Sequence, residues 1–198
     1  MKKTVMWIAA LLMLPVLGAV MFWLGSDLLE EAGSRERIEP GVVADYVHAV
    51  IQANRTVYAT EIVEKLQNKG VVEAAEHWRQ ENALPLPAQF LIETGRLVAE
   101  EGTGVKYRLA SLTPIYVWNG PQTEFERKGL EAVTRDPEKP FTGFIRIGRE
   151  RFFQAVYADM AVAQACVSCH NTHMNSPKRD YKLNDVMGGI IITIPVAP

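Results

Sequence analysis

The sequence predicts an α+β fold, because helical periodicity fills the first part of the chain and strand-like alternation fills the second. The 198 residues suffice for one ordinary domain plus an accessory segment. With 21 basic and 23 acidic residues the chain is close to neutral. This balance argues against nucleic acid as a partner.

An uncharged stretch from Thr4 to Ser26 follows two lysines at the N-terminus. At about 1.5 Å per residue, a helix of this length crosses a hydrocarbon core of about 30 Å. A cleaved secretory signal is the alternative, although its apolar core is shorter. The candidate cleavage site near Gly18 and Ala19 is followed by more apolar residues, so we expect residues 1–26 to be an uncleaved anchor. Because lysines precede the stretch and acidic residues follow it, we expect the N-terminus in the cytoplasm and the rest of the chain outside. The predicted location is the cytoplasmic (inner) membrane, single-pass, with the C-terminal domain in the periplasm.

The polar residues 27–40 predict a juxtamembrane connector, which leaves residues 41–198 as the periplasmic domain. Within this domain, apolar residues at steps of three and four predict an amphipathic helix over residues 42–66. Similar patterns, with prolines and glycines at their ends, predict further helices over residues 71–80, 88–100 and 123–133.

Strand signals dominate the second half of the chain. Alternating apolar and polar residues over 105–111 predict a half-buried strand. The runs FTGFIRIG and RFFQAVYA, separated by Gly148, Arg149 and Glu150, predict a β-hairpin. The run GGIIITIPV predicts the last strand.

Both cysteines of the chain lie in the stretch ACVSCHNTHM, between the last two predicted strands. Cys166 and Cys169 are three residues apart, and His170 follows directly. Two thioether bonds from these cysteines to the vinyl groups of haem would place His170 under the iron, so the spacing predicts one covalently bound haem c.

Three other chemistries fit two cysteines at this spacing. A thioredoxin-like dithiol usually opens a helix near the start of a βαβ pattern, whereas this pair comes late in a β-rich segment. Zinc would need two further ligands, of which His173 supplies one at most. A disulfide across two residues is strained and closes only a short loop. Haem c remains the leading interpretation.

The motif and its surroundings resemble a family of c-type haem proteins with a PAS-like fold, in which the domain occurs alone or as an extracytoplasmic sensor. The resemblance covers about residues 40–198. It implies a five-stranded antiparallel sheet with flanking helices and one haem held near the motif. Four stretches carry it: ANRTVYATEIV, LPLPAQFL, YRLASLTPIYVWNGPQTEFERKGLEAV and CVSCHNTHMNSPKRDYKLNDVMGGIIITIPV.

The iron would need a second axial ligand on the side opposite His170. Some relatives use a cysteine there, and this chain has no third cysteine. His48 is the candidate, because it lies on the first amphipathic helix, from which family members supply a distal ligand. Arg55 and Tyr58, one helical turn apart, could line the distal pocket and hydrogen-bond to a diatomic molecule or a propionate. The ordinary alternatives are a core or surface histidine, a solvated cation and a half-buried aromatic residue.

These features predict a membrane-anchored periplasmic monohaem c-type cytochrome that responds to redox state or to a small ligand such as nitric oxide. An electron-transfer or accessory subunit of a larger membrane complex, respiratory, photosynthetic or oxidase, is the first alternative. A haem enzyme of peroxide or nitrogen-oxide chemistry is the second, and no paired acid/base constellation favours it. The expected partners are the membrane, a redox partner or complex subunits, and a diatomic gas.

Overall fold

The first part of the chain is helical, as the sequence predicts, in a computed structural model that describes residues 38–196. Helix α1, Pro40–Val57, starts with a proline in its first turn, where no backbone N–H is needed. The chain continues without a break through a π-helical segment, Tyr58–Glu64, into a last turn, α2, Lys65–Asn68. Gly70 then adopts a positive φ of 64°, which ends the helix.

The next segment differs from the helix predicted over residues 71–80. Strand β1, Ala74–Ala75, pairs in parallel with β2, Leu84–Pro85, and the single turn α3, Trp78–Glu81, lies between them. The turn ends at Asn82, which adopts the left-handed conformation. That prediction was wrong because the pairing with β2 overrides a weak local helical preference.

The sheet has four antiparallel strands in the order β3-β6-β5-β4. Within residues 38–196 the sheet therefore lacks the fifth strand implied by the family resemblance, whereas the four strands predicted from local strand signals are confirmed. The residues after β3 bend at positions 112–113 and 115–116 and then form a short 3₁₀-helix, Val117–Asn119, instead of a further strand. The strands are β3, Lys106–Ala110; β4, Phe141–Ile147; β5, Glu150–Met160; and β6, Val186–Pro195.

Helices flank both faces of this sheet, as predicted. Alternate residues of β5 point to opposite faces, so Tyr157 packs on one side and Val156 on the other. The Tyr157 side is covered by α1 and by α4, Pro87–Glu100. The Val156 side is covered by α5, Glu124–Arg135. A final helix, α6, Gln164–Thr172, lies between β5 and β6.

The sequence predicted a single-pass protein of the inner membrane with a periplasmic domain. The helices of the described residues contradict this location. Across residues 38–196 every helix is too short or too polar to traverse a bilayer. The longest α-helix, α1, has 18 residues and includes Asp45 and Arg55, whereas a span needs about 20 mainly apolar residues. The predicted anchor, residues 1–26, lies outside the described residues, as does most of the predicted connector, residues 27–40.

Candidate cofactor site

Helix α6 carries all three residues of the cysteine–histidine motif. Cys166, Cys169 and His170 stand at positions i, i+3 and i+4, so the helix places them on one face. Cys166 is buried and Cys169 is half-buried, and both are unpaired thiols. Burial raises the pKa of both thiols and is the largest cause at each. At Cys166 the positive charge of Arg55 partly offsets this rise in pKa. Neither cysteine therefore has the low-pKa thiolate that a redox dithiol uses as its nucleophile.

His170 is half-buried beside the two thiols. Its ring meets the ring of Tyr181 edge-on, with 5.8 Å between centroids. Burial lowers the pKa of His170, and the charges of His173 and Arg55 lower it further, so the imidazole is neutral and able to bind a metal. Its Nδ1 atom is buried and has no hydrogen-bond partner among residues 38–196.

The π-helical segment supports α6 from the N-terminal side. Oε1 of Glu64 accepts a hydrogen bond of 2.8 Å from the backbone N–H of Gln164, the first residue of α6. Ala59, one turn earlier, is fully buried in the same apolar cluster as Cys166. A carboxylate at a helix N-terminus satisfies a free donor and interacts favourably with the helix dipole. Segments of π-helix are rare and often lie at functional sites.

Replacing Glu64 by alanine is expected to lower the free energy of unfolding by about 1 kcal/mol, because the Gln164 N–H loses its acceptor. Urea unfolding measures the change. The matched control is Glu61→Ala, three residues earlier, which removes an exposed ion pair with Lys65 worth about 0.3–0.5 kcal/mol. Equal losses in the two variants would contradict the capping role.

A long loop closes over the C-terminal side of α6. The side chain of Asn171 donates to the carbonyl of Tyr181 and accepts from its N–H, both at 2.9 Å. The hydroxyl groups of Tyr181 and Thr113 are 2.6 Å apart. Tyr181 and Met187 also join the apolar cluster around Cys166. The motif is thus held by segments far apart in sequence.

Arg55, a predicted site residue, lies close enough to the motif to affect the pKa of both Cys166 and His170. Its side chain is buried and pairs with Asp159 at the end of β5. Nη2 of Arg55 donates to Oδ2 of Asp159 at 3.0 Å, and its Nε is 2.9 Å from Oδ1. Burial raises the pKa of Asp159, and the charge of Arg55 opposes that rise. Asp159 was not predicted, although an acid inside a strand as apolar as AVYADM is a signal for a buried partner.

Tyr58, the other predicted pocket residue, has different neighbours. Its hydroxyl donates to the carbonyl of Pro85 at 2.7 Å, and its ring stacks on Phe90 with 4.3 Å between centroids. Burial raises the pKa of Tyr58 to about 12. The structure therefore brings Arg55 to the motif and directs Tyr58 towards α4.

His48 lies on the same helix but apart from the motif. Its ring stacks on Tyr157, with 4.0 Å between centroids, and the Tyr157 hydroxyl donates to Asp45. Burial lowers the pKa of His48, although the charge of Asp45 opposes this. Eleven residues separate His48 from Ala59, the helix residue that packs with Cys166, which corresponds to about 16 Å along the axis.

A cluster that sequence reasoning missed lies beside Cys169. The hydroxyl of Tyr116 donates to Glu76, and Nε2 of His173 is 3.6 Å from the Glu76 carboxylate. Glu76 raises the pKa of Cys169 by its charge. Nothing in the local pattern around Glu76 points to the motif, since the contact depends on the path of the chain between β1 and α3.

Large apolar side chains are exposed around this cluster. Trp118 stacks on Tyr116 and is 67% exposed, and the neighbouring Val117 is 86% exposed. Met174, directly after His173, is 82% exposed. Tyr116 links these groups, since its ring stacks on Trp118 and meets the ring of His173 edge-on, with 5.9 Å between centroids. As for the zinc alternative, residues 38–196 hold no group of three or more His, Cys, Asp or Glu placed to bind a metal ion.

Comparisons with known proteins give a family and a fold. The family described as Tll0287-like matches residues 39–195. The crystal structure of the cyanobacterial haem protein Tll0287 is similar, with a TM-score of 0.51 and 14% identity over 81% of this chain and 98% of that chain. At this identity the likeness shows the fold alone. None of the curated proteins compared matches the chain.

Proposed function

The chain belongs to the Tll0287-like family of haem proteins, and from this premise we propose that residues 39–195 bind one haem c through the motif on α6. The observation that carries the proposal is the arrangement of Cys166, Cys169 and His170 on one helical face. Haem c attachment requires two thiols and a histidine at this spacing.

The residues present fit such a group. Cys166 and Cys169 are both free thiols and are not joined to each other, so each would be available for addition to a vinyl group. No described residue engages the buried Nδ1 of His170, so its imidazole would be free to bind iron. The exposed apolar groups beside the motif, Val117, Trp118 and Met174, are those that a porphyrin would cover.

Each residue then has a defined role. Cys166 and Cys169 would hold the haem through two thioether bonds, each made by adding the S–H of a thiol across a vinyl group. His170 would bind the iron. Arg55, paired with Asp159, would place a guanidinium near the group. A bound haem would supply an iron that takes up one electron or binds a small ligand.

We propose further that the domain is a monohaem c-type cytochrome that responds to redox state or to a small ligand such as nitric oxide, and is not an enzyme. His48 stacks on Tyr157 and lies apart from the motif, which supports a site where a bound iron would be open to a small ligand. An open or easily displaced site favours ligand binding, whereas two strong ligands favour electron transfer.

Spectra of the protein, produced in a host with a cytochrome c maturation system, test both proposals. We expect one haem per chain that remains bound after extraction with acidic acetone and gives a c-type pyridine haemochrome. A chain without haem, or with haem that is extracted, contradicts the attachment. On the same sample, carbon monoxide or nitric oxide is expected to change the spectrum of the ferrous form. An unchanged spectrum would instead support an electron carrier.

A further inference from the structure

A groove of about 570 Å³ lies on the face of the sheet that α5 covers only in part. It crosses the strands beside the N-terminus of α5, and no residue of α6 lines it. Its floor includes Gln154, which is six residues, or about 20 Å of strand, from the end of β5 at Met160. The groove is therefore separate from the cysteine–histidine motif.

The two ends of the groove differ in chemistry. At the β3 end lie three cations, Arg96, Lys106 and Arg108. At the β4 end lie the apolar side chains of Ile145 and Ile147; Arg146 also borders the groove, but alternation along β4 directs its side chain to the opposite face of the sheet. Since neighbouring strands are about 4.8 Å apart, the distance across the four strands is about 14 Å. A ligand lying in the groove would meet positive charge at one end and apolar surface at the other.

Lys106 and Arg108 retain unused capacity for an anion, whereas Arg96 is already paired with Glu93 and Glu100. Lys106 has no carboxylate within salt-bridge distance in the described part of the chain. Nη2 of Arg108 donates to the carbonyl of Gly120 at 2.8 Å and lies 3.3 Å from Glu126. Its Nε is buried and has no partner among residues 38–196. A carboxylate at this end would be favoured by charge and by an unfilled donor.

The middle of the groove holds an orphaned polar group. Gln154 is 4% exposed, and its Nε2 donates to Oγ1 of Thr193 at 3.0 Å. Its Oε1 is buried and accepts no hydrogen bond from any described residue. Because the two ends of a glutamine amide exchange by rotation, whichever end faces away from Thr193 needs a partner. A hydroxyl group can serve either end, since it both donates and accepts.

We propose that this groove binds a small amphipathic carboxylate that carries a hydroxyl group. Its carboxylate lies at Lys106 and Arg108, its hydroxyl meets Gln154, and its apolar body lies over Ile145 and Ile147. The volume is in the range of pockets that hold small molecules, about 300–1,000 Å³. This site does not depend on the haem proposal, since it shares no residue with the motif.

Because β3 and β5 lie two strand spacings apart, about 10 Å, a matching ligand carries its hydroxyl several carbons from its carboxylate. Isothermal titration of the full chain with 7-hydroxydecanoate, below its critical micelle concentration, tests the site. We expect saturable binding of one molecule per chain. Decanoate lacks the hydroxyl and is expected to bind about 3- to 10-fold more weakly, the equivalent of one net hydrogen bond. The uncharged methyl ester of 7-hydroxydecanoate is expected to bind more weakly still. Absence of saturation, or equal affinity for all three probes, overturns the proposal.

Two variants and a control assign the binding to the groove. Lys106→Gln is expected to weaken binding of the acid while leaving that of the methyl ester unchanged. Gln154→Leu is expected to remove the preference for the hydroxylated acid. Lys128→Gln, on the exposed side of α5 and outside the groove, is the matched control and should bind as the wild type does. Equal binding by Lys106→Gln and Lys128→Gln would overturn the proposal even if Gln154→Leu fails to fold. Haem retention in each variant is measured separately.

Discussion

Replacing both cysteines by serine, C166S/C169S, is expected to abolish covalently bound haem. Serine hydroxyls do not add to vinyl groups under the conditions in which the more nucleophilic thiols do. Haem staining after denaturing electrophoresis measures the outcome, since only a covalent adduct stays with the chain. The expected change is from one haem per chain to none.

Single variants separate the two bonds. C166S and C169S are each expected to keep one thioether, so haem remains on the chain and its pyridine haemochrome band moves to longer wavelength, because one vinyl group stays conjugated. Ser168→Ala, between the two cysteines and exposed, is the matched control and should leave the band in place. Haem staining that persists in C166S/C169S would contradict attachment through this motif.

Replacing Arg55 by leucine is expected to lower the free energy of unfolding by about 3–5 kcal/mol, because Asp159 becomes a buried charge without a partner. Chemical denaturation at neutral pH measures the loss. Burial raises the pKa of Asp159 above its unfolded value, and a carboxyl of this kind contributes stability at low pH that is lost as the pH rises. The loss in Arg55→Leu is therefore expected to shrink as the pH falls towards about 4, the usual pKa of aspartic acid.

Two further variants show whether the effect belongs to the buried pair. Arg79→Leu removes an arginine of similar length whose pair with Glu93 is exposed, so a loss of about 0–1 kcal/mol is expected. Arg55→Leu combined with Asp159→Leu removes both charges and should recover much of the stability lost in the single variant. A single-variant loss no larger than that of Arg79→Leu would contradict a structural role for the pair.

Local pattern predicted most of the regular structure. The strand-like runs over residues 141–158 predicted the hairpin, and β4 and β5 form it with Glu150 already paired to Ile147, so the turn is one residue shorter than predicted. Local pattern likewise predicted the first helix, residues 40–68 with its π-helical segment, and α4 and α5 to within a few residues. The fifth strand came only from the family resemblance, and the chain after β3 forms turns and a 3₁₀-helix instead.

The surroundings of the motif could not be predicted in the same way. Glu64 and Gln164 are 100 residues apart in sequence, and Arg55 and Asp159 are 104 apart. Such pairs form only when the first helix packs beside the end of β5, and no local spacing encodes that packing. The sequence predicted that Arg55 and Tyr58 line one pocket, because they lie one helical turn apart. The Tyr58 hydroxyl, however, donates a hydrogen bond to the carbonyl of Pro85, away from the motif. The motif itself was predictable because its chemistry fits within five consecutive residues.

The π-helical segment Tyr58–Glu64 makes the first helix tolerant of a length change at one place only. A π turn holds more residues than an α turn, so deleting one residue there would let an α-helix form throughout. The six residues left, at about 100° each, turn the chain nearly as far around the axis as the seven π-helical residues do, so Glu64 would still face the N-terminus of α6. Deleting a residue from the α-helical part, Pro40–Val57, would instead turn Glu64 by about 100° relative to that part. The extra residue of the π segment thus sets how Glu64 is aligned with the rest of the first helix.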